Sequence, residues 1–153
     1  MKVSIGSDHR GVDVRQELIG KLEQWGHTIV DCGAFSTESC DYPDIAEEVC
    51  EKLVSGQVER GVLICGTGIG MSIAANKIRG IRAAVCNDTK SAEMSRRHNN
   101  ANVICLSADI LAERSLDDVI QLWIATEFEG GRHQRRVDKI GELLQQQRET
   151  TLE

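Results

Sequence analysis

The run Gly61-Val62-Leu63-Ile64-Cys65 carries no polar side chain and passes directly into Gly66-Thr67-Gly68-Ile69-Gly70, after which Ile69–Ile78 follows a helical pattern. A short apolar run of this kind, closed by glycine, reads as a strand buried on both faces, as in parallel sheets covered by helices. The rest of the chain repeats that alternation. Lys2–Ile5 is a β-rich run, and Val12, Leu18, Ile19 and Leu22 then recur at helical spacing until Gly26. His27–Asp31 reads as a second strand, and a polar loop over Cys32–Tyr42 ends at Pro43, the one proline. Proline suits the first turn of a helix, which continues over Asp44–Leu53 with Ile45, Val49 and Leu53 four apart. Ile81–Cys86 and Asn102–Leu106 read as the fourth and fifth strands, with a helix over Ser91–Arg97 between them. A longer helix is expected over Leu111–Phe128, and a polar one over about 132–148 after the Gly130-Gly131 break. Strands alternating with helices indicate βαβ units. The expectation is one α/β domain over residues 1–153, a five-stranded parallel sheet with helices on both faces in three layers.

Ligands of such sheets bind beyond the carboxyl ends of the strands, where the strand order reverses. The residues in those places are Ser7-Asp8-His9, Cys65-Gly66-Thr67-Gly68, Asn87-Asp88 and Ser107-Ala108. Three alternating glycines let the backbone approach a ligand closely, and a helix start directs N–H groups at an oxyanion or phosphate. A tight turn without a ligand is the plainer alternative, but such a turn seldom needs three glycines. Part of a dinucleotide fingerprint is also present: Gly66 and Gly68 fit its first two glycines, and Asp88 lies where a ribose-binding acid would be. Met71, however, holds the place of the third glycine. Cys65 ends its strand at this loop, where a helix start favours thiolate, a nucleophile or a base for a carbon acid. Cys86 and Cys105 lie inside apolar runs and read as small buried hydrophobes. His98, between Arg96-Arg97 and Asn99, and His9, beside Asp8, each read in isolation more often as a surface or capping residue than as an acid–base group. Arg132 and Arg136 are four apart and share a helix face that suits a phosphate or simply water.

Charge and composition remove whole classes of function. With 18 Lys and Arg against 24 Asp and Glu the net charge is −6, the opposite of a nucleic-acid footprint, and 3% aromatic residues offer no stacking platform. No apolar stretch is long enough for a membrane helix, and the first ten residues turn polar too soon for a signal peptide. Six cysteines without a C-x-x-C pair are expected to be reduced thiols of a cytoplasmic protein. The histidines at 9, 27, 98 and 133 have no zinc-ligand spacing with one another or with the cysteines, so no metal is expected.

Five segments together resemble the ribose-5-phosphate isomerase B family, which includes allose- and galactose-6-phosphate isomerases. They are Gly6-Ser7-Asp8-His9-Arg10-Gly11, Asp41-Tyr42-Pro43-Asp44, the run from Cys65-Gly66-Thr67-Gly68-Ile69-Gly70 through Met71-Ser72-Ile73-Ala74-Ala75-Asn76-Lys77, Arg97-His98-Asn99, and Glu129-Gly130-Gly131-Arg132-His133-Gln134-Arg135-Arg136-Val137. The glycine-loop segment is specific, and the others support it by their order. The resemblance implies a Rossmann-like sheet and a cofactor-free aldose–ketose isomerase of a phosphorylated sugar, most of all ribose 5-phosphate. It implies a homodimer, or a tetramer of paired dimers, with the helix over about 132–148 at the interface. By the same resemblance Cys65 is the proton-transfer base, residues 66–70 hold the enediolate, and His98 opens the sugar ring with Thr67 or Asp8. His9, Arg132 and Arg136 hold the phosphate, Tyr42 joins the substrate contacts, and His98 and Asn99 serve the neighbouring subunit's site. Some members use a glutamate six residues after the cysteine position; here that place is Met71, which cannot accept a proton. Where the family commonly has an arginine after the fifth strand, this chain has Asp109, which would repel a phosphate. Beside the isomerase stand a nucleotide-dependent oxidoreductase and a domain that senses a sugar phosphate without converting it.

Overall fold

The structure, a computed structural model, describes residues 1–111 and 116–151. Its elements are β1 (Lys2–Ser7), α1 (Val12–Gln24), β2 (Thr28–Asp31), α2 (Tyr42–Val54), β3 (Arg60–Cys65), α3 (Ile69–Ala75), β4 (Ala83–Val85), α4 (Thr89–Asn99), β5 (Val103–Ser107), α5 (Ala108–Leu111), α6 (Leu116–Ala125) and α7 (Arg132–Thr151). All strand pairings are parallel, in the order β2-β1-β3-β5-β4. From β1 the chain builds outward to β2, then crosses back and builds the other way from β3. The reversal lies between β1 and β3, so the crevice beyond their carboxyl ends opens at Ser7-Asp8-His9 and at Cys65-Gly66.

Alternation along the strands sorts the core into two layers. Val3, Ile5, Val62, Ile64, Ile104 and Leu106 face Leu18 and Leu22 of α1, Ala92 of α4, and Val119, Ile120 and Trp123 of α6. Leu63, Cys65, Val103 and Cys105 point the other way, onto Ala46, Val49 and Cys50 of α2 and Met71 and Ala75 of α3. The central strands β3 and β5 are therefore buried on both faces, which is why their sequences run apolar without a break. The expected α/β architecture is the one observed.

Several boundaries differ. Pro43 sits in the first turn of α2 as expected, and the helix runs from Tyr42 to Val54, one residue beyond each expected end. Asp88 caps α4 by accepting the Ser91 N–H at 2.7 Å, so that helix starts at Thr89 and runs on to Asn99. The single helix expected over Leu111–Phe128 is instead α5 and α6, with residues 112–115 between them outside the described residues. Ser107 starts α5 early, its Oγ accepting the Ile110 N–H at 3.0 Å. At the far end the buried Arg96 donates to the Thr126 carbonyl at 3.2 Å, and α6 stops at Ala125. The last helix reaches Thr151, past the expected 148. No helix among the described residues is long and apolar enough to cross a membrane.

Candidate active site

Each glycine of the loop after β3 is required by a different neighbour. Gly68 has φ +76°, a left-handed conformation, and a Cβ there would stand 3.2 Å from the Leu106 backbone. A Cβ on Gly70 would lie 2.8 Å from the Tyr42 ring, which covers this turn. One on Gly66 would lie 3.0 Å from Arg10 Nε and 3.2 Å from Asp109 Oδ2. The Gly66 carbonyl is fixed from β5, accepting the Ser107 hydroxyl at 2.7 Å and the Asp109 N–H at 3.2 Å. Cys65, the last residue of β3, is 5% exposed, and its Sγ accepts the Gly68 N–H at 3.1 Å. That sulfur sits at the end of the core with an amide aimed at it. Thr67 and Ile69 are exposed, and Thr67 Oγ1 accepts the Ile69 N–H at 3.3 Å.

Across the crevice, buried Asp8 donates its amide to the Ile64 carbonyl at 3.0 Å, and its Oδ1 accepts the Arg10 N–H at 3.0 Å. His9 Nδ1 accepts the Cys40 N–H at 3.4 Å, which ties the loop between β2 and α2 to this end of the sheet. Asp8, His9, Tyr42, Cys65 and residues 66–70 are thus brought together.

A second cluster has formed elsewhere. The rings of His98 and His133 stack with centroids 4.2 Å apart and planes 8° from parallel. Glu129 stands beside them, its Oε2 3.4 Å from His133 Nε2 and 3.9 Å from His98 Nε2, while its Oε1 accepts Arg97 Nε at 2.6 Å. Arg97 holds the Glu129 carboxyl below the usual carboxylate range. Lost hydration, then the charges of His98 and Arg132, push the His133 imidazole below its ordinary value. His98, Glu129 and His133 bring three ligand-type atoms within 4.8 Å, a grouping invisible to a search by spacing for zinc motifs. The stacked rings lie in near-parallel planes, so their in-plane lone pairs do not meet at one point, and Arg97 and Arg132 already supply positive charge there. Arg132 and Arg136 lie at the start of α7 and belong to this cluster, while the exposed Asn99 ends α4 beside it and lines the cavity with Ile140 and Leu143.

The two clusters occupy opposite ends of the sheet. Cys65 pairs in register with Ser107, at the carboxyl end of β5, whereas α4 returns antiparallel to the strands and ends just before Val103. Four residues of strand separate these levels, roughly 13 Å along the sheet. One chain therefore does not bring His98, Asn99, Arg132 or Arg136 to Cys65.

Sequence reading saw His133 only as part of a basic cluster with Arg132, Arg135 and Arg136 and did not pair it with Glu129, although their four-residue spacing is that of one helical turn; the intervening Gly130-Gly131 hid it. It also gave Arg10 no role, and no signal local to Arg10 links it to Asp109, 99 residues away.

The ribose/galactose isomerase family profile matches residues 3–140. The chain belongs to that family. Ribose-5-phosphate isomerase B of Escherichia coli is 40% identical over 144 residues, covering 94% of this chain and 97% of that protein. D-erythrulose-4-phosphate isomerase of Pectobacterium atrosepticum is 42% identical over 142 residues, covering 92% and 93%. The solved structure of Clostridium thermocellum ribose-5-phosphate isomerase B superposes with a TM-score of 0.93 at 46% identity, over 95% of this chain and 99% of that one. As a member of the ribose/galactose isomerase family the protein is an isomerase, and its sheet is the family's Rossmann-like one.

Proposed function

We propose that the protein interconverts ribose 5-phosphate and ribulose 5-phosphate without a cofactor, at a site completed by two copies of the chain. The observation that carries this reading is the Cys65 sulfur at the β1/β3 crevice, at the end of the core and in contact with a loop amide. In the open-chain sugar, Cys65 takes the proton from carbon 2. The resulting enediolate is negative on oxygen and needs donors set in place beforehand, which residues 66–70 supply. The same sulfur then returns the proton to carbon 1. Ring opening requires a separate acid–base group; His98 serves there, with Thr67 or Asp8. His9, Arg132 and Arg136 hold the phosphate, and Tyr42 and Asn99 line the sugar.

The separation of the clusters supports the two-copy arrangement. His98, Asn99, Arg132 and Arg136 reach a Cys65 loop only if it belongs to a neighbour. Ile140 and Leu143, exposed on α7 beside the edge strand β4, support the same pairing, since a second copy would cover them. The oxidoreductase alternative has less behind it, because Arg10 lies across Gly66 and Met71 holds the place of the third glycine.

The deciding experiment assays ribose, allose, galactose and erythrulose phosphates with the wild type and with Cys65→Ser. Conversion of ribose 5-phosphate that disappears in the variant is expected. Full activity in Cys65→Ser overturns the role of the sulfur, and conversion only of another sugar overturns the substrate.

A further inference from the structure

The cations assigned to the phosphate, Arg132 and Arg136, stand at the far end of the sheet from Cys65 within one chain. A different guanidinium lies on the Cys65 loop itself. Arg10 extends from the turn after β1 across Gly66, with Nε 3.0 Å from where a Gly66 Cβ would be. There its Nη2 donates to Asp109 Oδ2 at 2.7 Å. The side chains are 57% and 47% exposed. An ion pair so open to water contributes little to stability. Its position points to another purpose. Asp109 occupies one donor of a planar fork that carries five N–H groups, so most of the fork stays available to a ligand. Asp8 and Cys65 are the other residues close enough to act on this guanidinium, and His9 is its chain neighbour. The loop's lack of a side chain at Gly66 is what lets the guanidinium lie there.

We infer that Arg10 is a specificity-determining residue that binds phosphate oxygens of the substrate from the same chain as Cys65, with Asp109 as a built-in competitor for its charge. The inference rests on the isomerase reading. A phosphate takes a guanidinium through two parallel charge-assisted hydrogen bonds, an arrangement that a single exposed carboxylate contact does not match. Asp109 holds the fork over the loop when no substrate is bound and weakens phosphate binding by its own charge. Removing the cation and removing its competitor therefore act in opposite directions. If the pair were only a clasp between the turns after β1 and β5, losing either half would act in the same direction.

The test measures KM and kcat for ribose 5-phosphate, and the inhibition constant of inorganic phosphate, in wild type, Arg10→Ala, Arg10→Lys and Asp109→Asn, with Tm as the control for folding. Arg10→Ala is expected to raise both KM and the phosphate constant by at least about tenfold, through the loss of its charge-assisted hydrogen bonds to the phosphate. Arg10→Lys is expected to fall between, and Asp109→Asn to lower both constants severalfold, with Tm close to wild type in all three. Shifts of Arg10→Ala and Asp109→Asn in the same direction, or no change in the phosphate constant of Arg10→Ala, overturn the role of Arg10. Direct titration of inorganic phosphate by calorimetry reads the same opposed shifts without turnover. A wild type that binds phosphate but converts no sugar phosphate would therefore sink the isomerase reading and leave the Arg10 assignment to be decided by those titrations alone.

Discussion

The two chemically armed regions of this chain are built by different means. The loop after β3 is held by backbone: the left-handed turn at Gly68, the amide on Cys65 Sγ, and the Ser107 hydroxyl on the Gly66 carbonyl. The junction of α4 and α7 is held by side-chain charge: Arg97 on Glu129, with the stacked imidazoles of His98 and His133 beside it. Backbone geometry does not titrate, whereas a cluster of imidazoles and carboxylates does. The first region should therefore respond to steric changes and the second to pH.

The largest effect expected is on turnover. Cys65→Ala should lower kcat by roughly 10²–10⁴-fold, the usual contribution of a positioned base, with circular dichroism and Tm near wild type. A comparable loss of turnover in Cys105→Ala would break the contrast. That thiol lies on the neighbouring strand but is sealed in the core, where burial raises it well above its ordinary value.

Thiol reactivity sharpens the same point. Burial pushes Cys32 up to about 11 and Cys50 up to about 12, and Cys86 is raised for the same reason. Iodoacetamide at neutral pH, read by peptide mass mapping of the native protein, should leave these three and Cys105 unmodified while Cys65 reacts. Uniform labelling would show that position at the loop confers nothing.

Next comes the steric test. Gly68→Ala should destabilise by about 1–3 kcal/mol, because the left-handed backbone persists while the new Cβ meets the Leu106 backbone. Gly20→Ala, in α1 with open space around its Cβ, should instead stabilise by up to about 1 kcal/mol. Urea midpoints measure both.

The smallest effect tests the charged junction. His133 is held below its ordinary value, so between that lowered value and 6.5 the unfolded chain binds the proton that the native state refuses. Stability is therefore full above about pH 6.5 and falls as the pH drops through the folded value. Glu129 and Glu93, both held low by Arg97, add stability that is present above 4.5 and lost on further acidification. Urea midpoints from pH 8 to 4 should decline in that order, and His133→Asn should flatten the upper part of the curve.

Much of this was legible in the residues. Burial of β3 and β5 on both faces follows from their unbroken apolar runs, and the site at the end of β3 follows from Cys65 meeting three alternating glycines. Helix ends were less legible, because Asp88, Ser107 and Arg96 set them through side-chain contacts that periodicity does not register. The resemblance gave His98 and Asn99 to the neighbour's site, but the residue pattern by itself did not divide the site residues. Proximity along a motif list carries no direction, and α4 runs back against the strands, which sends His98 to the opposite end from Cys65.

The sequence alone determined the alternation of strand and helix and the place where a thiol meets a glycine-rich turn, since both depend on neighbours a few residues apart. Tertiary structure decided which distant groups share that place. Arg10 and Asp109 meet across Gly66, Tyr42 covers Gly70, and His133 stacks on His98 because the strand order β2-β1-β3-β5-β4 sets loops far apart in the chain side by side. Strand order is fixed by the packing of whole faces, and no local stretch of residues encodes it.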